Sequence, residues 1–67
     1  MPPYTPQRIK ELRRRAGLSQ EAFAQALNVT TSTVTKWESG KATPRSKAAL
    51  AALAAFERGV ALRVPTS

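Results

Sequence analysis

The chain contains no cysteine and no histidine. Without cysteine there is no disulfide framework and no thiolate metal site. Without histidine, zinc binding and imidazole-based proton transfer are excluded as well. Acidic residues are scarce: four Asp+Glu stand against eleven Lys+Arg. The four, Glu11, Glu21, Glu38 and Glu57, fall on separate predicted elements, so no carboxylate pair is placed for acid–base work. Glycine occupies only three positions, with no glycine-rich phosphate loop and no nucleophile-plus-base set. These absences predict that the chain is not an enzyme and takes no cofactor and no metal. No apolar run is long enough to span a bilayer. The opening Met-Pro-Pro-Tyr-Thr-Pro has no basic segment followed by an apolar one, so no signal peptide is expected, and a cytoplasmic protein is the default.

What is present is positive charge, a net +7 in 67 residues. That balance favours a polyanionic partner, nucleic acid ahead of an acidic membrane. The plainer alternative is charge that serves solubility alone. A chain of this length makes one small domain whose core is marginal, since it buries only about 60% of its unfolded surface. Marginal size leads to an expectation either of dimerisation or of a flanking segment beyond these residues.

Taken in order, residues 1–4 read as a flexible, proline-rich lead-in. Thr5-Pro6 then forms a helix start: Thr offers a capping oxygen, and proline at the first helical position loses nothing by lacking an N–H. The helix runs to about Arg15 or Ala16, and Gly17 suits the left-handed position after it. Ile9, Leu12 and Ala16 make its buried stripe. Arg8, Lys10, Arg14 and Arg15 lie elsewhere on its surface. Arg13 falls close to the stripe, and a cation buried there needs a partner. Ser19 caps a second helix with Phe23, Ala24 and Leu27 on its apolar side, ended by Asn28, a residue that tolerates the left-handed conformation. Thr30 caps a third. Thr43-Pro44 repeats the cap-plus-proline start and opens a fourth helix over the alanine-rich segment to Glu57, with Leu50, Leu53 and Phe56 at spacing three. Gly59 is expected to stop it. Residues 60–67 read as a tail in which Val60, Leu62 and Val64 alternate, either a short strand, an extended arm or a frayed end. The expected fold is all-α, a small bundle of four to five helices over residues 5–59, with helices two and three joined by a short turn as in a helix-turn-helix.

The third helix has two unlike faces. At about 100° per residue, Val34, Trp37 and Glu38 share one side, and Trp37 reads as core. Ser32 and Lys36 point the opposite way, with Thr33 and Thr35 on the flanks. Short hydroxyls permit close approach to another surface and either donate or accept hydrogen bonds, which suits base edges in a major groove. The alternative is a solvated helix whose threonines carry no role.

The run Gly17-Leu18-Ser19-Gln20-Glu21-Ala22-Phe23-Ala24, then Leu27-Asn28-Val29, then Val34-Thr35-Lys36-Trp37-Glu38-Ser39-Gly40-Lys41 with Pro44, resembles the helix-turn-helix of phage Cro/repressor-type (XRE-type) transcriptional regulators. The resemblance covers roughly Ile9 to Phe56. The Trp-Glu-x-Gly-x-x-x-Pro run followed by an Ala/Leu-rich helix is also similar to small bacterial antitoxin regulators of the HigA/MqsA kind.

The resemblance implies sequence-specific binding of double-stranded DNA by a regulator, most often a repressor. It implies a homodimer on a pseudo-palindromic operator, or alternatively an antitoxin whose main partner is a toxin protein. It places Thr31, Ser32 and Lys36 at base edges. Gln20, at the start of the second helix, is implied to touch a phosphate. Thr33 and Thr35 are implied to flank the base readers and reach phosphates or thymine methyls, and the cap Thr30 is expected among the flanking contacts. Lys41 and backbone N–H groups near Ser39–Lys41 are implied to hold the phosphate backbone; Arg45, a second loop cation, reads as a further phosphate contact or as merely solvated charge. Arg13 and Glu38 are implied to form an interhelical ion pair, which meets the need of Arg13 for a partner. The sequence departs from the family in having Asn28 where glycine is common. It also lacks Gln, Asn or Arg at the first base-reading positions. Hydroxyls discriminate bases weakly, so DNA shape and phosphate contacts take a larger share.

Overall fold

The computed structural model describes residues 4–62, which form four α-helices: α1 (Pro6–Arg15), α2 (Gln20–Leu27), α3 (Thr31–Ser39) and α4 (Lys47–Leu62). No strand occurs among the described residues, and the fold is all-α. The first three helices begin on local capping bonds. The hydroxyl oxygens of Thr5, Ser19 and Thr30 accept from the backbone N–H groups of Arg8, Ala22 and Thr33, which satisfies donors that a helix start otherwise leaves open. Asn28 closes α2 in the left-handed conformation at φ 61°. A short turn, Asn28 to Thr30, then carries the chain into α3, giving the helix-turn-helix arrangement.

The core lies between all four helices. Ile9 and Leu12 from α1, Phe23, Ala24 and Leu27 from α2, Val34 and Trp37 from α3, and Leu53 from α4 are buried together. Phe23 meets Phe56 of α4 edge to face, with ring centroids 5.0 Å apart and an interplanar angle of 82°. This geometry suits the ring quadrupoles. Leu53 is fully buried, whereas Leu50 and Phe56 are only partly so. α3 packs on both α1 and α2, while α4 packs on α2 and α1. The inner side of α3 is therefore gripped and its outer side left clear.

Three expectations for the ends of the domain change. Tyr4 is no part of a loose lead-in: it is buried in the core, and its hydroxyl donates to Glu57 at 3.0 Å. Burial, and then Glu57, push its pKa up. Arg8 lies over the Tyr4 ring at 5.2 Å and donates to the other oxygen of Glu57 at 2.6 Å, so a cation, an aromatic ring and a carboxylate tie the start of the chain to α4. Second, α4 starts not at Thr43-Pro44 but at Lys47. Ser46 is its cap, with its hydroxyl accepting from Ala49 N–H at 3.0 Å. Pro44 is itself buried in the preceding connection, and that burial holds residues 42–45 out of the helix. Third, α4 passes through Gly59 to Leu62, so residues 60–62 are helix and neither strand nor arm. Residues 1–3 of the lead-in and 63–67 of the tail, Val64 included, lie outside the described residues.

Candidate nucleic-acid interface

α3 is amphipathic in an unusual way. Val34 and Trp37 face the core. Thr31, Ser32, Thr35, Lys36 and Ser39 are exposed and Thr33 is half-buried. At about 100° per residue the five exposed side chains share one outer face. It carries four hydroxyls and one ammonium group, with no carboxylate and no large apolar residue. The Thr30 and Thr33 hydroxyls lie 2.7 Å apart at the helix start, so both are partly engaged in capping.

A hydrogen-bonded network fixes α3 from beneath. Arg13 Nε donates to Glu38 Oε2 at 2.7 Å and a terminal Arg13 nitrogen donates to Glu38 Oε1 at 3.1 Å. The other terminal nitrogen donates to the Leu18 carbonyl at 3.0 Å, in the turn before α2. The guanidinium thus joins α1, the α1–α2 turn and α3. The Glu38 side chain is 3% exposed and that of Arg13 17%. Burial opposes ionisation of Glu38, yet hydrogen bonds from Arg13 and Gln20, with the charges of Arg13 and Lys10, outweigh it and hold the carboxyl below its ordinary value. The hydrogen bond to Glu38 raises the pKa of Arg13 despite its partial burial.

Gln20 belongs to this network as well. Its Nε2 donates to Glu38 Oε1 at 3.1 Å, and its Oε1 accepts from the Thr35 hydroxyl at 3.2 Å. A half-buried side chain expected at a phosphate is thus engaged inside the protein. An amide nitrogen carries two hydrogens, so one donor remains for a partner outside. The backbone N–H groups of Gln20 and Glu21, and those of Thr31 and Ser32, fall in first helical turns where no intrahelical acceptor exists.

At the other end of α3 the expectation needs correcting. Gly40 takes φ 84°, a left-handed position that suits glycine. The turn sends the Gly40 N–H to the carbonyls of Trp37 and Lys36, and the N–H groups of Lys41 and Ala42 to the Lys36 carbonyl at 2.9 and 3.2 Å. These donors close the helix, so the backbone near Ser39–Lys41 is not free to hold a phosphate. The Ser39 hydroxyl is also committed, donating to the Lys36 carbonyl at 3.2 Å. What remains outward here are the exposed side chains of Lys41 and Arg45.

A family model described as helix-turn-helix matches residues 9–63, most of the chain. The protein belongs to the Cro/repressor-like helix-turn-helix family. No curated protein and no solved structure matches it. The family is one of DNA-binding regulators, not of enzymes, and DNA is the partner of this helix-turn-helix protein in that general sense. Among the described residues no group of carboxylates gathers to hold a metal ion, and no helix is long and apolar enough to cross a membrane.

Two features of this helix-turn-helix protein are not legible in its sequence. The Gln20–Thr35 and Gln20–Glu38 bonds join residues 15 and 18 positions apart, and no local pattern announces them. The one available signal was the need of Arg13 for a counter-charge, which leads to Glu38 but stops there. The Tyr4–Glu57 bond spans 53 positions and had no signal except an aromatic residue in an otherwise small and prolyl segment.

Proposed function

We propose that the protein is a sequence-specific double-stranded DNA-binding regulator, acting as a repressor, with residues 31–38 of α3 in the major groove. The observation that carries this reading is the division of α3. Its inner side is locked by Val34, Trp37 and the Glu38 ion pair. Its outer side presents Thr31, Ser32, Thr35 and Lys36 exposed and without bulk. A helix so held can enter a groove as a rigid body, with hydroxyls and one cation at base-edge distance. In this reading Thr31, Ser32 and Lys36 meet bases. Thr30 and Thr33 border the backbone. The free Gln20 donor and first-turn N–H groups of α2 anchor one flank, and the Lys41 and Arg45 side chains anchor the other. A homodimer would set two such helices about 34 Å apart, one turn of DNA, on a pseudo-palindrome.

The test is Ser32→Glu. Ser32 is exposed and makes no core contact, so the fold should keep its melting temperature while specific binding is lost, because a carboxylate would face base edges and phosphates. A folded variant with unchanged affinity would remove α3 from the interface.

A further inference from the structure

Four side chains, Arg13, Glu38, Gln20 and Thr35, form a single hydrogen-bonded chain from the interior to the outer face of α3. Its direction is forced at every link. A guanidinium only donates, and an ionised carboxylate only accepts. Gln20 therefore has to turn its NH2 toward Glu38. The flipped amide would set its oxygen 3.1 Å from a carboxylate oxygen, two acceptors with no proton between them. With the amide so fixed, Oε1 faces Thr35. It too is an acceptor, so the Thr35 hydroxyl must donate to it. The second inward neighbour of Thr35, the Thr31 carbonyl at 3.0 Å, is again an acceptor only. The single hydroxyl proton of Thr35 is thus held inward, and its lone pairs face out.

A free hydroxyl reads donors and acceptors alike, which is why serine and threonine discriminate bases weakly. Thr31 and Ser32 have no such inward side-chain bond among the described residues and keep that freedom. Thr35 differs. We propose that Thr35 meets DNA as an acceptor only and selects, at one base position, adenine or cytosine, whose exocyclic amino groups donate in the major groove, over guanine or thymine. This rests on the reading of α3 as the groove helix and deepens it. The same polarity argues against a phosphate as the partner of Thr35, since a phosphate oxygen accepts and would have to take the proton from Gln20 and Thr31. The buried ion pair thereby reinforces, through Gln20, the hold of the Thr31 carbonyl on the Thr35 proton, without touching DNA itself: Glu38 and Gln20 are positioning residues for Thr35.

The experiment is selection of sites from a random duplex pool with the wild type, Thr35→Val, Thr35→Ser, Gln20→Met and Ser32→Ala, each first checked for a cooperative melt. The wild type should prefer A or C at one position by roughly 3- to 10-fold, the worth of one hydrogen bond. Thr35→Val should flatten that position alone, and Thr35→Ser should keep it. Gln20→Met leaves Thr35 in place but removes one of its two inward acceptors, with the Thr31 carbonyl at 3.0 Å remaining, so it should weaken the preference at the same position without abolishing it. If Gln20→Met does not fold, the two Thr35 variants decide. A wild-type preference for G or T at the position that Thr35→Val flattens overturns the proposal, and a preference undiminished in Gln20→Met overturns the positioning role of Gln20 and Glu38. If Thr35→Val leaves every position unchanged while Ser32→Ala shifts one, the proposal fails and the groove reading stands. If no α3 variant shifts any position, the groove reading itself has failed.

Discussion

Arg13 and Glu38 meet through two hydrogen bonds, at 2.7 and 3.1 Å, across the contact between α1 and α3. The carboxylate is almost wholly buried, and the guanidinium keeps some access to water. Breaking such a pair strands a charge, which costs more than the pair contributes when intact. The pair ties α3 to α1, so it bears directly on stability.

Glu38→Ala should therefore destabilise the fold by about 3 kcal/mol, toward the low end for a buried pair because Arg13 remains partly hydrated. The pH dependence has a definite sign. The folded-state pKa of Glu38 lies below its ordinary 4.5, so its stabilising contribution is present above that value. It is lost as pH falls through the folded pKa. Glu57, held low chiefly by its hydrogen bond from Arg8, acts in the same direction. Thermal melts between pH 7 and pH 2 should show stability falling on the acid side, with a shallower fall in Glu38→Ala. An identical acid limb in both proteins would mean that the carboxyl is not held ionised by the fold.

The start of α4 gives a paired test. Ser46 makes the capping bond to Ala49, whereas Thr43 lies in the connection before it. Ser46→Ala should cost about 1 kcal/mol, the usual worth of an N-cap, and Thr43→Ala should be close to neutral. The reverse ranking in urea denaturation would return the helix start to Thr43-Pro44.

Lys41 is exposed just beyond the closed end of α3, where the backbone donors are already spent. Lys41→Ala should weaken binding to all sequences alike and reduce the slope of log affinity against log salt by about one. Loss confined to one operator sequence would instead make Lys41 a base reader.

The helix order was legible in the sequence because its signals are local. Thr5-Pro6, Ser19, Thr30 and Asn28 each act within three or four residues, where capping and left-handed propensity decide the outcome. The two helix-end signals that failed were local as well, and the rest of the fold overrode them. Thr43-Pro44 is as good a start as Thr5-Pro6, but Pro44 is drawn into the interior. Gly59 lowers helix propensity by about 1 kcal/mol relative to alanine, too little to end an alanine-rich helix that already has twelve residues in place. At the candidate interface, the outer face of α3 was legible from a period of 3.6. The inward engagement of Gln20 and Thr35 was not, because it depends on how α2 lies against α3.

The most direct test of the central claim is selection of binding sites by the wild-type protein from a random duplex pool at near-physiological salt. A dimeric major-groove reader should enrich a pseudo-palindrome whose half-sites lie one helical turn apart. No enrichment, with binding that disappears as salt rises, would leave only counterion release between a +7 chain and DNA, and would contradict sequence reading by α3.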